Sequence, residues 1–514
     1  MNYFELAAFI LYFIAVLGIG VFFFLKSKNE SEKDYFLGGK SMNGWVSALS
    51  AGASDMSAWC LMGLPGAIYA AGVGQIWISV GLIAGTILAW VFIAPRLRVY
   101  ATHADDSITI PQFLTNRFRT KNVILRIICA VVFVVAYCVY MASSISACGT
   151  IFNTLSGGLV DKTVGMIIAT AIILVYTTLG GFRAVCWTDF LQGMLMLGAL
   201  LILPLIAVAF VGTGNLPESF VAWGEAANSE NYWNLLSSGA FDWESIANIL
   251  TGLAWGLGYA GMPHILVRYM AIKDKKEMKK SQIVGSTWTF IILIMASVLG
   301  LVAHEYLGGA VADTKDLVFV EVVRGIFSFG ALAFIGGILI SAIVAASMST
   351  ADSQLLAASS AFASDLYKAQ IRKDASDQEM VWVSRIVVVV ISIVAFFIAL
   401  SGGSIMSLVS AAWSIFGAAF GPAIILSLYW KRFNYKGCAA GIVAGFAVSV
   451  LWMVLFNFEY YGFTSVIFNT GLYEILPGFI VSLAAAIGVS LATGEPDQAV
   501  VELFEKALAD EDLK

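Results

Sequence analysis

Ser50-Ala51-Gly52-Ala53-Ser54-Asp55-Met56-Ser57-Ala58-Trp59, followed by Gly63, Pro65 and Gly66, lies inside an apolar run at 45–71. A run of that length can cross a bilayer, which takes about 17–25 residues. As a continuous helix it is badly made. Glycine and proline weaken the ladder, and every backbone group freed in lipid needs a partner. Asp55 adds a carboxylate near mid-membrane, at roughly 2.5–3.5 kcal/mol even on a lenient insertion scale. Such a span either packs closely through its small residues, with Asp55 capping a half-helix, or it lines a site.

The rest of the chain agrees with a membrane setting. Of 514 residues, 60% are apolar and 12% charged, and the mean hydropathy is +0.86. A soluble chain is about one quarter charged, and soluble cores stop growing near 250–300 residues, so the excess apolar surface faces lipid. A soluble enzyme is excluded. The net charge of −5 offers no footprint for nucleic acid. Six cysteines without CxxC pairing and three scattered histidines (His103, His264, His304) point to neither a disulfide framework nor a metal cluster. No nucleophile–base pair converges at one depth. The expectation is therefore no enzyme, no cofactor and no obligatory protein partner, with membrane lipid as the surroundings.

Thirteen apolar stretches can be marked, at about 4–25, 45–71, 75–94, 127–152, 164–180, 190–211, 245–270, 284–303, 327–357, 381–400, 405–429, 438–458 and 472–492. The first lacks the basic flank of a signal peptide and is read as a retained span. With the N-terminus outside, 26 of the 29 Lys and Arg fall in inner segments, leaving Lys162, Lys315 and Arg324 outside. That matches the positive-inside rule, and a missed span would reverse every later loop. The prediction is an all-α polytopic membrane protein of thirteen helices, N-out and C-in. The tail from Thr493 is acidic with a weak stripe at Val500, Leu503, Phe504 and Leu508, and reads as a solvated helix without a chemical role.

A second broken span runs Thr251-Gly252-Leu253-Ala254-Trp255-Gly256-Leu257-Gly258-Tyr259-Ala260-Gly261-Met262-Pro263. It starts five spans after the first, so spans 2–6 and 7–11 form two halves, and an odd repeat number inverts the second. The expected divisions are 1–44 (an extra helix and inner loop), 45–211 and 212–436 (the two repeats), and 437–514 (two further spans and the acidic tail). Paired interrupted helices in inverted halves point to a secondary transporter with a site near the midplane. In the ninth span Ser349 and Thr350 stand three and four residues after Ala346, so their hydroxyls lie where its carbonyl emerges. Such oxygens either suit a hard cation or bond their own backbone. Tyr137, Tyr140 and Ser144 share one helical face. With Trp59, Trp255 and Tyr259 they either pack between helices or wall a pocket. Asp189 either caps the sixth span or offers an acid at the inner mouth.

These segments together resemble the sodium:solute symporter family, and within it the proline branch. The matching strings are Ser50–Trp59, the turn Gly180-Gly181-Phe182 with Trp187-Thr188-Asp189, Trp255 to Tyr259 through Pro263-His264, and Met348-Ser349-Thr350. The likeness is collinear from the first span to the last. It implies a leucine-transporter-type five-plus-five inverted repeat, preceded by one helix and followed by two. It implies sodium-coupled import of L-proline across a cell membrane, here a bacterial inner membrane, with another small organic solute as the alternative cargo. By position it implies a sodium site from the carbonyls of Ala53, Met56 and Ala346 and the hydroxyls of Ser349 and Thr350. It further implies a proline pocket near Ser57, Trp59, Tyr140, Trp255, Tyr259 and Pro263, with Asp55 coupled to sodium and Asp189 on the inner sodium route. Ala58 stands where the branch often has glycine, and Lys40 where close relatives have arginine, which keeps the charge but loses a bidentate fork.

Overall fold

The computed structural model describes residues 3–26, 32–212, 231–308, 312–457 and 467–513. Among these, nine helices are long and apolar enough to cross a membrane, including Val73–His103, Ile124–Leu155, Gly181–Phe210, Lys275–Leu307 and Ile405–Tyr429. The other expected stretches hold shorter or broken helices: Tyr3–Lys26, Lys162 up to Gly181, Gly44–Asp55 with Leu64–Ala71, and Trp243–Ala254 with Pro263–Met270. Large apolar side chains such as Ile283 and Phe397 are exposed on the outer surface, as a lipid-facing wall requires.

Each break follows from its residues. The helix Gly44–Asp55 is opened by Asn43, whose side chain accepts the Val46 N–H at 2.9 Å. It ends at Met56, where ψ swings to 75°. A wide turn, Trp59–Gly63, leads to Leu64–Ala71, with Pro65 in the first turn where its missing N–H leaves no gap. In the second broken span a tight turn, Trp255–Ala260, separates Trp243–Ala254 from a helix that starts at Pro263. Gly181 takes φ 62° and ψ −176° inside Lys162–Gly212 and bends the chain there.

Three tryptophans press on glycines of neighbouring helices. A Cβ added at Gly52 would stand 2.6 Å from the Trp288 ring, one at Gly285 2.5 Å from Trp90 Nε1, and one at Gly252 2.5 Å from Trp77 Cβ. At Gly52 and Gly285 the missing side chain makes room for an indole ring, and at Gly252 for the neighbouring backbone of Trp77 and Ile78.

The loops gather at two ends. At one, Val73 N–H donates to Tyr232 O at 2.8 Å and Trp243 Nε1 to Thr470 O at 3.1 Å. The other holds residues 98–106, 272–275 and 430–434 together with the tail. The tail is not the solvated helix that its charge suggests. Gln498–Leu508 buries Val500, Leu503, Phe504 and Ala507, so Ala507 rather than Leu508 completes the stripe. Around it Asp512 pairs with Arg98 and Asp510 with His103, each at 2.7 Å, and Glu505 pairs with Lys431. An apolar stripe flanked by acids finds a seat among the basic segments at this end. Arg117, counted among the inner-loop charges, is fully buried there, its guanidinium 5.1 Å from the Tyr100 ring and 5.3 Å from that of Phe504.

Candidate functional site

The expected sodium residues meet where the first broken span faces the helix Leu332–Ser360. Ala53, Met56, Ala346, Ser349 and Thr350 are all fully or almost fully buried. The Ser349 hydroxyl donates to Ala53 O at 2.8 Å and lies 3.1 Å from Ala346 O. Three of the five oxygens are thus within reach of one another across two helices. Among the described residues the Thr350 hydroxyl is buried with no partner. Met56 sits at the helix break, its N–H donating to Gly52 O at 2.9 Å. Oxygens without sulfur or imidazole form a donor set suited to a hard monovalent cation.

Next to this set the break is closed around Asp55. Its backbone carbonyl accepts from Trp59 Nε1 at 3.1 Å, Tyr140 Oη at 3.3 Å and Ser57 N–H at 3.0 Å. Its carboxylate Oδ2 accepts from Tyr259 Oη at 2.5 Å, which ties one broken span to the other. Among the described residues the second carboxylate oxygen and the Ser57 hydroxyl are buried without partners. Trp59 and Trp255 stack with centroids 6.2 Å apart. Of the expected pocket residues, Ser57, Trp59 and Tyr140 therefore meet the Asp55 backbone carbonyl and Tyr259 its carboxylate, Trp255 stacks on Trp59, and Pro263 opens the following helix. Tyr137, from the same face as Tyr140, instead meets the His264 ring edge-on at 6.0 Å.

Trp255 also divides this region from a cavity of ≈ 190 Å³ at the end that carries Tyr232 and Thr470. Its walls include Gln75, Thr251, Ser410, Tyr473 and Glu474. Tyr473 stacks on Trp255 at 4.9 Å and its hydroxyl donates to Ser410 O at 2.7 Å. Trp413 supports the same indole by donating to Trp255 O at 2.8 Å.

Toward the other end the way is closed by an ion pair. Arg268 Nη2 lies 2.8 Å from Asp189 Oδ2, and both side chains are buried. Ser50 Oγ accepts from Arg268 Nε and donates to Asp189 Oδ2, both at 2.7 Å. Ser353 joins both partners, and Arg268 also donates to His264 O at 2.5 Å. Asp189 is thus no cap: it stands well inside Gly181–Phe210, apart from the sodium set. Arg268, which the loop count placed in an inner segment, is a core residue. A run of five lysines within Lys273–Lys280 hid it. The signal available was its place in His264-Ile-Leu-Val-Arg268, one helical turn after a buried histidine in an apolar run.

A profile described as "Sodium:solute symporter family" matches residues 35–445. This chain is a member of the sodium:solute symporter family. The osmoregulated proline transporter OpuE of Bacillus subtilis (strain 168) is 41% identical over 499 residues, 96% of each chain. The sodium/proline symporter of Escherichia coli (strain K12) is 36% identical over 509 residues, 98% of this chain and 96% of that one. Among solved structures, a Na+-coupled sialic acid symporter in a substrate-bound outward-open state superposes with a TM-score of 0.76. That match spans 97% of this chain and 99% of the other at 21% identity. The all-helical fold of this family member is of the leucine-transporter type shared by its solved neighbours. It is a membrane transporter and not an enzyme.

Proposed function

We propose that this chain carries L-proline into the cell together with sodium by alternating access. It would cross a bacterial inner membrane thirteen times, N-terminus outside and C-terminus inside, with two inverted halves at 45–211 and 212–436. One observation carries the coupling: the Ser349 hydroxyl reaches the carbonyls of Ala53 and Ala346 one turn from the Asp55–Tyr259 bond. Sodium held by Ala53, Met56, Ala346, Ser349 and Thr350 pins the first broken span to the helix Leu332–Ser360. That fixes the break whose exposed amides receive the proline carboxylate. The ring packs on Trp59, Tyr140 or Trp255. Release inward requires the Arg268–Asp189 pair to part. The names of the relatives support the cargo.

The driving force suffices for one sodium per solute. A potential of about −100 mV supplies roughly 2.3 kcal/mol per charge, and a tenfold sodium gradient about 1.4 kcal/mol, enough for several-hundred-fold accumulation. Ala58, buried beside Trp59 where the branch often has glycine, favours a second reading, another small organic solute. The test is uptake of labelled proline into vesicles with sodium or choline in the medium, together with a competition panel. Sodium-dependent uptake blocked by unlabelled proline is expected. Uptake indifferent to sodium overturns the coupling, and a solute that blocks where proline does not overturns the cargo.

A further inference from the structure

A groove of ≈ 480 Å³ opens at the end of the molecule that carries the C-terminal helix, well away from the transport site. One wall is a single face of Lys275–Leu307, with Lys275, Met278, Lys279 and Gln282 spaced i, i+3, i+4 and i+7. The facing wall is Val91, Phe92, Pro95 and Arg96, closed at its edge by Tyr429. Two like charges at i, i+4 repel on a bare helix, and Arg96 adds a third cation. Arg96 donates to Leu428 O at 3.1 Å and lies 3.9 Å over the Tyr429 ring, while Lys275 donates to Glu511 O at 3.0 Å. None of the three has a carboxylate partner among the described residues. The acid in the groove, Asp512, is engaged by Arg98. The groove therefore carries an excess of positive charge.

The groove also sits at the right depth. Phe92 and Val91 are about half exposed, and Ile283, one turn beyond Lys279 on the same face, is 70% exposed. Apolar surface that water does not cover begins where the cations stop. Basic pockets between spans at this level bind anionic headgroups, and Tyr429 is an interfacial anchor of the usual kind. We propose that this groove binds an anionic phospholipid, its phosphodiester between Lys275, Lys279 and Arg96 and its acyl chains along Val91, Phe92 and Ile283. The tail helix, through Leu508 and Leu513, forms the third side, so the bound lipid also holds the tail.

The test is native mass spectrometry of the full-length detergent-purified protein, titrated with equal amounts of phosphatidylglycerol and phosphatidylethanolamine of matched chains. One phosphatidylglycerol bound in clear preference is expected. Each surface lysine contributes about fivefold in affinity, so Lys275→Gln with Lys279→Gln weakens that binding roughly 30-fold. Lys275→Arg with Lys279→Arg retains it, as does neutralising Lys276 and Lys373 outside the groove. Equal retention of the two lipids overturns the proposal. So does unchanged affinity in the double glutamine variant, or displacement of the lipid by millimolar inorganic phosphate.

Discussion

Replacing Thr350 by valine separates the stability of this protein from its affinity for sodium. The threonine hydroxyl is buried with no hydrogen-bond partner in a helix otherwise packed on all sides. An unmet buried hydroxyl costs about 1–3 kcal/mol, so valine of similar shape should leave the sodium-free protein as stable as before, or more so by up to that amount. The same hydroxyl is the proposed fifth ligand of sodium, next along the helix from Ser349. Losing a bond of the charge-assisted class removes about 1.5–3 kcal/mol, or roughly 10- to 150-fold in sodium affinity. The assay is thermal unfolding of purified protein against sodium chloride, with choline chloride holding the ionic strength constant. The variant's curve should start at or above the wild-type midpoint and climb only at sodium concentrations at least tenfold higher. A lower starting midpoint with an unshifted sodium dependence would refute the reasoning, because Thr350 would then be a packing residue alone.

Three further outcomes follow from the same structure. Asp189→Asn leaves Arg268 buried without its counter-charge and should lower stability by about 3–5 kcal/mol, while Arg268→Gln added to it restores much of the loss; additive thermal shifts in the double variant would count against the pair. Tyr259→Phe removes the bond to Asp55 Oδ2 and should weaken sodium-dependent solute binding about tenfold or more, measured by equilibrium binding at fixed sodium; unchanged binding would uncouple the two broken spans. The Asp510 carboxyl is held below the usual carboxylate range by the Asp512 backbone N–H and by His103. A depressed folded value contributes docking energy above the ordinary pKa and loses it as pH falls below about 3.9. A spin-label pair across the tail and the inner loop should therefore stay close from neutral pH down to that range, and separation already at pH 6 would contradict this.

Much of this architecture was legible because its makers are local. Glycine, proline and a lone aspartate mark the two breaks directly, and the structure puts them at Met56 and within Trp255–Ala260. The approach of the Ser349 hydroxyl to Ala346 O was readable from their spacing, while its bond to Ala53 O was not. What escaped were partnerships between distant segments. Arg268 is charged and next to a lysine run, so only the fold, by bringing Asp189 and Ser50 to it, shows it as buried. The tail's acids could not reveal that Arg98, His103 and Lys431 await them. Trp413 and Tyr473 matter only because two late segments pack over Trp255, and nothing in their neighbours along the chain announces that.

The indole-on-glycine contacts have a mechanical consequence. Trp288 on Gly52 keys Gly44–Asp55 to Lys275–Leu307 and Trp90 on Gly285 keys the latter to Val73–His103, while Trp243–Ala254 joins by backbone, Gly252 lying against the main chain of Trp77 and Ile78. Glycine pressed on a ring or on backbone leaves no slack, so these four helices are expected to move as one block. The bonds from Ser349 to Ala53 and from Ser50 to Asp189 cross from that block to Leu332–Ser360 and Gly181–Phe210, and Arg268, on Pro263–Met270, bonds Ser50, Asp189 and Ser353. The proposed ion site and the inner ion pair are thus two rivets on a single seam. An ion bound at the proposed site would then alter the angle between two bodies rather than the shape of either.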